Sequence, residues 1–350
     1  MNASGLRSRP ASRSPGAETR RFAASREATI GNAAAAAGFV IMWSSGFIGA
    51  RLATESASTI TVLAWRFLLA AALLLIGRMI WHALHPATRR PLSRREIGTQ
   101  AAVGLLAQGV YLLATVSAVE FGVAAGTAAL ITALQPITAG ALARPVLGQR
   151  VDAGQWLGFG IGLAGVALVV SADLGAGHST PPWAYALPFL GMAGLVAATL
   201  LERGAHLGTP LGDALVIQCT TSAALFGILA LTTGHVTPPA HDGNFWVVMA
   251  WVVVLSTFGG YGFYWLNLRR TSVTRVSSLI YLTPPTTMVW ALLMFGETPR
   301  LRAGLGLFVC LVAVLIVYRP DGGTRGVTSS RRATPDGDSP PLATPSPKAG

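Results

Sequence analysis

The sequence predicts an all-α polytopic membrane protein of ten transmembrane helices in two inverted five-helix repeats, and three observations carry that prediction. Hydrophobic residues make up 52% of the 350 and charged ones only 11%, against the usual quarter, with a mean hydropathy of +0.53. So few charges cannot cover a soluble globule of this length. The apolar residues fall into runs long enough to span the ~30 Å of bilayer hydrocarbon, which takes about 20 residues as a helix. The later part of the chain also repeats features of the earlier part at a fixed offset. The run lengths exceed those of barrel strands and lack their strict alternation, and helices satisfy their own backbone hydrogen bonds in lipid.

The expected spans, in order, are 32–54, 59–80, 97–119, 123–143, 154–171, 182–201, 213–233, 245–266, 273–296 and 301–318. Span 1 holds Trp43, Ser44 and Ser45, with Arg51 near its end, and span 2 carries Arg66 about seven residues inside. Span 3 contains Tyr111, and span 4 is broken by Gln135-Pro136. Span 5 contains Gly160-Ile161-Gly162-Leu163-Ala164-Gly165. Those letters fit a dinucleotide-binding fingerprint, but a strand before them and an acidic residue after them are missing, so they read as close helix packing. Span 8 holds Tyr261, Tyr264 and Trp265, the last near its end and therefore expected at the membrane interface. Span 9 contains Tyr281 and then Thr283-Pro284-Pro285, and span 10 contains Cys310. The two cysteines, Cys219 and Cys310, both lie inside apolar runs, which excludes a disulfide framework.

Residues 1–31, with six arginines, read as a disordered basic tail without the apolar core of a cleavable signal, and 319–350 as a disordered Pro/Ser-rich tail. The domains expected between them are 32–171 and 182–318, one five-helix repeat each. The net charge is +12, and 25 of the 26 basic residues are arginine. They are spread over tails and short loops, a pattern that orients helices rather than reading nucleic acid. With the N-terminus inside, 22 of the 26 fall on the cytoplasmic side. Both termini are therefore expected in the cytoplasm, with the chain multi-pass in the inner or plasma membrane.

Leu134-Gln135-Pro136 matches Leu282-Thr283-Pro284 at an offset of 148 residues, which also sets Gly148-Gln149 on Gly296-Glu297 and Gly158 on Gly306. A five-span unit starts and ends on opposite sides of the membrane, so its repeat must enter inverted. Such pairs hold a midplane site between halves that rock against each other. The runs Trp43-Ser44-Ser45-Gly46-Phe47-Ile48 and Trp65-Arg66-Phe67-Leu68-Leu69-Ala70-Ala71, with the Gln135-Pro136 and Thr283-Pro284 segments, resemble EamA-type members of the drug/metabolite transporter superfamily. The resemblance covers roughly residues 32–318 and implies a five-plus-five transporter of amino acids or related compounds. It departs at Gln149, where the second repeat has Glu297, and in span 6, which lacks a counterpart of the Trp43 run.

Arg66 lies roughly 10 Å deep at ~1.5 Å per residue, where a cation is costly unless it faces a cavity or snorkels. It is expected either to hold a substrate carboxylate or to bond helix-end carbonyls. Gln135 and Thr283 precede the expected helix kinks at Pro136, Pro284 and Pro285, where freed carbonyls can meet a substrate. Trp43, Ser44, Tyr111 and Tyr281 complete the expected cavity lining. The six histidines sit at loops or span ends, no Cys/His cluster has zinc spacing, and no carboxylate is central. Neither a metal, a cofactor nor a carboxylate proton relay is expected. The function that follows is a carrier exporting or exchanging a small metabolite by alternating access, with the substrate and the lipid bilayer as partners, no nucleic acid, and a monomeric or homodimeric state. The alternatives are a membrane enzyme acting on lipid, which needs a nucleophile and base at one depth, and a sensor, which needs an output domain.

Overall fold

The computed structural model describes residues 15–86, 90–135, 138, 153–174, 180–205, 208–239, 243–270, 279–296 and 301–317, and among them every regular element is helical. Helix α1 is Pro15–Ser56 and α2 is Thr59–Leu84, where Ser58 caps the entry by accepting from the Thr61 N–H. Helix α3 runs Arg94–Glu120, opened by a Ser93/Glu96 capping box and wound as a π-helix over Leu105–Val110. After a turn at Gly122 (φ 95°) comes α4, Ala125–Thr132. Helix α5 is Ala153–Leu174, and α6 is Ala186–Ala205 behind a 3-10 turn at Pro182–Tyr185. Helix α7 is Leu211–Thr233. Helix α8 starts at Gly243–Trp251, passes through a π-helical stretch at Val252–Tyr261 and ends in Gly262–Arg270. Helices α9 and α10 are Thr283–Phe295 and Leu301–Val317.

Among the described residues, six helices are long and apolar enough to cross a membrane: Ile30–Ser56, Thr59–Leu84, Arg94–Glu120, Pro182–Glu202, Leu211–Thr233 and Gly243–Asn267. The apolar stretches described in α4, α5, α9 and α10, at the places of expected spans 4, 5, 9 and 10, are shorter. On α2, Leu73, Ile76, Met79 and Ile80 are exposed, an apolar face suited to lipid. At the N-terminus residues 15–31, expected to belong to a disordered tail, form the first turns of α1. The Ala, Arg and Glu of that stretch are strong helix formers, and they extend a helix nucleated by the apolar run behind them. The expected tail 319–350 lies outside the described residues.

Packing pairs α5 with α10, α2 with α7, α1 with α8, α3 with α6, and α4 with α9. Between α5 and α10 the backbones nearly touch: a Cβ on Gly165 would lie 2.9 Å from the Gly306 carbonyl oxygen. The span-5 glycine run thus serves close packing. Ala53, Val62, Phe245, Met249 and Val252 form an apolar cluster joining α1, α2 and α8.

Candidate functional site

Arg66 is the largest fully buried side chain, 2% exposed, and points from α2 toward α8. Its Nε donates to Thr257 Oγ1 and its Nη2 to Ser256 Oγ, both at 2.9 Å. The π-helical winding of α8 prepares these acceptors. The Thr257 hydroxyl spends its own proton on the Val252 carbonyl five residues back, at 3.0 Å, which leaves a lone pair for the guanidinium. Ser256 has room only because residue 46 on α1 is glycine, where a Cβ would fall 2.5 Å from Ser256 Oγ. No carboxylate pairs with Arg66 among the described residues: Glu55 pairs with Arg51, Glu96 with Arg90 and Asp213 with Arg78. Glu120 accepts from the Thr59 N–H, and Glu202 from Gln100.

Beside Arg66 lies a narrow cavity of about 20 Å³, lined by Trp43, Tyr111, Thr115, Ser256, Tyr261 and the apolar faces of Phe47 and Leu112. Trp43 stacks on Tyr111 (6.2 Å between centroids, 22° between planes) and meets Tyr261 edge-on at 5.2 Å. Phe39 and Tyr264 pack on the same indole at 5.4 and 5.6 Å, on the side of the α1 N-terminal end. The Tyr261 hydroxyl donates to the Ala107 carbonyl at 2.8 Å, inside the π-helical stretch of α3. Such stretches leave irregular carbonyls and recur at functional sites.

A polar ladder runs from this aromatic cluster toward the same end of the bundle. Ser222 donates to Gln108 (3.1 Å), Gln108 to Gln218 (3.4 Å), Gln218 to Gln100 (2.7 Å) and Gln100 to Glu202 (2.9 Å). Beyond it, Glu96 accepts from Arg90 and from the Ser93 N–H and hydroxyl. Helix α3 is stitched in this way to α6 and α7.

Of the residues expected at the site, the structure brings Trp43, Arg66 and Tyr111 to one cavity. Ser44 and Thr283 lie elsewhere. The Ser44 hydroxyl donates to the Thr283 carbonyl at 3.2 Å, and the Thr283 hydroxyl to the Ile280 carbonyl at 2.7 Å. Gln135 donates to Thr199 of α6 at 3.3 Å, and its Oε1 is buried without a partner. Tyr281 and Pro284 line a second, smaller cavity with Leu130, Ala133 and Cys310. Pro284 and Pro285 lie in the first turn of α9, after a turn at Tyr281–Leu282. The helix is interrupted there rather than bent, because proline is at ease where its missing N–H has no intrahelical acceptor. Pro136 lies outside the described residues. Trp265 packs against Tyr264 at 5.3 Å, and Asn267 ties the end of α8 to the Ala35 carbonyl at 2.8 Å.

Sequence reasoning missed Ser256, Thr257 and the ladder. The signals were two adjacent hydroxyls within the apolar run of span 8, and Glu96, Gln100 and Gln108 at multiples of four residues along one face of span 3.

Comparisons with known proteins bear on the chain as a whole. The profile of the EamA-like transporter family matches residues 31–171 and again 183–319. A protein of Streptantibioticus cattleyicolor named "Probable terminal-alkyne amino-acid exporter" is 27% identical over 302 residues, 83% of this chain and 94% of that one. The "Uncharacterized inner membrane transporter YedA" of Escherichia coli K12 is 24% identical over 279 residues, 79% of this chain and 87% of its own. A solved crystal structure, described only as that of a protein, superposes with a TM-score of 0.56 at 16% identity, over 82% of this chain and 96% of that one. This last likeness is one of fold alone. With two matched segments that together span most of the sequence, the chain belongs to the EamA-like transporter family, as a polytopic membrane transporter and not an enzyme.

Proposed function

We propose that this protein is an inner-membrane carrier that exports or exchanges a small metabolite, an amino acid or a related compound, by alternating access. The observation that carries the reading is Arg66, a buried guanidinium without a carboxylate partner among the described residues, beside an aromatic cavity between α1, α2, α3 and α8. A buried cation with hydroxyl partners only is an unfinished ion pair, and a substrate carboxylate completes it.

Ten spans in two inverted repeats supply the motion, and the packing supports that arrangement. Under the 148-residue offset α2 corresponds to α7 and α5 to α10, and each of these packs on its counterpart. Helices α1 and α3 pack on α8 and α6, the exchange a two-fold axis requires. Cys310 donates to the carbonyl of Gly162, its equivalent at 148 residues, at 3.5 Å. Only residues near such an axis meet their own equivalents. The binding unit is complete in one chain, so a monomer suffices for transport.

With both termini in the cytoplasm, the polar ladder and the aromatic cluster lie on the cytoplasmic side of the cavity, and this conformation is closed toward the cell interior. Opening inward parts α3 from α6 and α7, while the Arg66 anchor between α2 and α8 holds the substrate at mid-depth. The test is counterflow of a labelled metabolite panel, amino acids first, in proteoliposomes with and without a pH gradient. Gradient-independent counterflow of one compound class is expected. Absence of flux for every compound from folded, oriented protein overturns the reading, and flux only under a pH gradient overturns the uncoupled mechanism.

A further inference from the structure

We infer, resting on the carrier reading above, that the Arg66 cavity takes a monoanionic carboxylate with an apolar tail and an absent or blocked amino group, and that its export moves net negative charge. Three observations converge on this class. The first is charge balance. None of the fourteen acidic residues falls within 28–54, 56–95, 97–119 or 243–296, which contain the cavity-lining parts of α1, α2, α3 and α8. The described carboxylates nearest in sequence, Glu55, Glu96 and Glu120, are engaged by Arg51, Arg90 and the Thr59 backbone. A substrate ammonium group finds no anionic partner there.

The second is the direction of the free guanidinium face. Ser256 and Thr257 occupy Nη2 and Nε, and Nη1 has no hydrogen bond to any described residue while Arg66 lines the cavity. One carboxylate against that nitrogen makes the enclosed site neutral. A zwitterion leaves the site with its unit positive charge, which a low-dielectric, closed intermediate disfavours. The third concerns the aromatic rings. An ammonium group can be held by open ring faces, but the Trp43 indole is packed on Tyr111, Tyr261, Phe39 and Tyr264. The remaining surface, Phe47, Ala50, Leu112 and Val116, suits an apolar tail. An exported monoanion leaves a cell whose interior is electrically negative without help from a coupling ion, which accords with the lack of a central carboxylate relay.

The test uses the full chain in proteoliposomes and three compounds with one ring and three charges: N-acetyl-L-phenylalanine, L-phenylalanine and L-phenylalaninamide. Efflux above that from protein-free liposomes is followed with and without an inside-negative potassium diffusion potential. The expected result is N-acetylphenylalanine efflux at least about tenfold faster than phenylalanine, no carrier-dependent efflux of the amide, and acceleration of the anion alone by the potential. Arg66→Gln is expected to erase the preference among the three. Phenylalanine moving as fast as its acetylated form, or anion efflux indifferent to the potential, overturns the proposal. Flux of other metabolites with none of the three compounds overturns the proposal and leaves the carrier reading standing. Absence of flux for any compound removes both.

Discussion

Arg66 shows how a single residue can be legible in a sequence while its partners are not. A cation seven residues inside an apolar run stands out against its background, as do Trp43 and Tyr111, because lipid and packed apolar cores exclude charge and reward large rings. Ser256 and Thr257 do not stand out, since hydroxyl residues in membrane helices commonly bond their own preceding carbonyls. Thr257 does that too, to Val252, and its second role toward Arg66 exists only in three dimensions. That role is measurable. Thr257→Val keeps shape but strands the Arg66 Nε–H, and a buried donor without a partner costs about 1–3 kcal/mol. Thermal unfolding of the detergent-solubilised variant should show that loss, and transport should fall with it. Unchanged stability and transport would mean that the guanidinium is held elsewhere. Gly46→Val should act on the same centre from α1, by forcing Ser256 off Nη2, and its effect should be largely absent in a Ser256→Gly background.

At the level of elements, the long helices α1, α2, α3, α6, α7 and α8 were legible because continuous apolar runs of membrane length admit few other structures. What sequence could not give was the winding inside them. The π-helical stretches Leu105–Val110 and Val252–Tyr261 have no composition that separates them from ordinary helix. Their stability comes from neighbours, with Tyr261 and Thr257 capturing carbonyls that the wider turns release. Pro284 and Pro285 were legible as an irregularity, but whether they bend a helix or begin one depends on Tyr281–Leu282 turning before them. The ladder of Gln100, Gln108, Gln218 and Ser222 makes the element-scale prediction. Interhelical side-chain hydrogen bonds in membranes are worth about 0.6 kcal/mol each on average, with some above 1. Gln218 takes part in two such bonds, so Gln218→Leu should favour separation of α3 from α7 by about 1 kcal/mol, roughly fivefold in population. Cys219 is a native reporter, fully buried and adjacent to Gln218. In a Cys310→Ser background, a water-soluble maleimide should label Cys219 several-fold faster in the Gln218→Leu variant than in its parent. Equal labelling rates would show that the ladder does not hold this end closed.

For the whole molecule, the proposed repeat is marked in the sequence at its best-matched segment, where Gln135-Pro136 meets Thr283-Pro284, and faint elsewhere because lipid-facing residues exchange freely among apolar types. Packing reveals relations that identities do not. Gln135 bonds α6 through Thr199, and the Thr283 carbonyl accepts from Ser44 of α1, so each interrupted segment is tied to the first helix of the opposite half. In the inverted-repeat arrangement proposed above, the frame has no built-in sense of inside and outside, because an inverted pair looks alike from both faces. Orientation is therefore left to the arginines, and the ten-span topology proposed above would put 22 of 26 basic residues on one side, a strong bias. The direction of the closed gate depends on it. If the bias holds, a single cysteine at Thr237, in the loop after α7, is labelled by a membrane-impermeant thiol reagent on intact cells of a Cys219→Ser, Cys310→Ser background. A cysteine at Pro91, before α3, is then labelled only after the membrane is permeabilised. The reverse pattern would put the polar ladder on the outer side and turn the same conformation into one closed to the exterior. The ladder would then guard release rather than entry, and the chemistry of Arg66 would be unchanged.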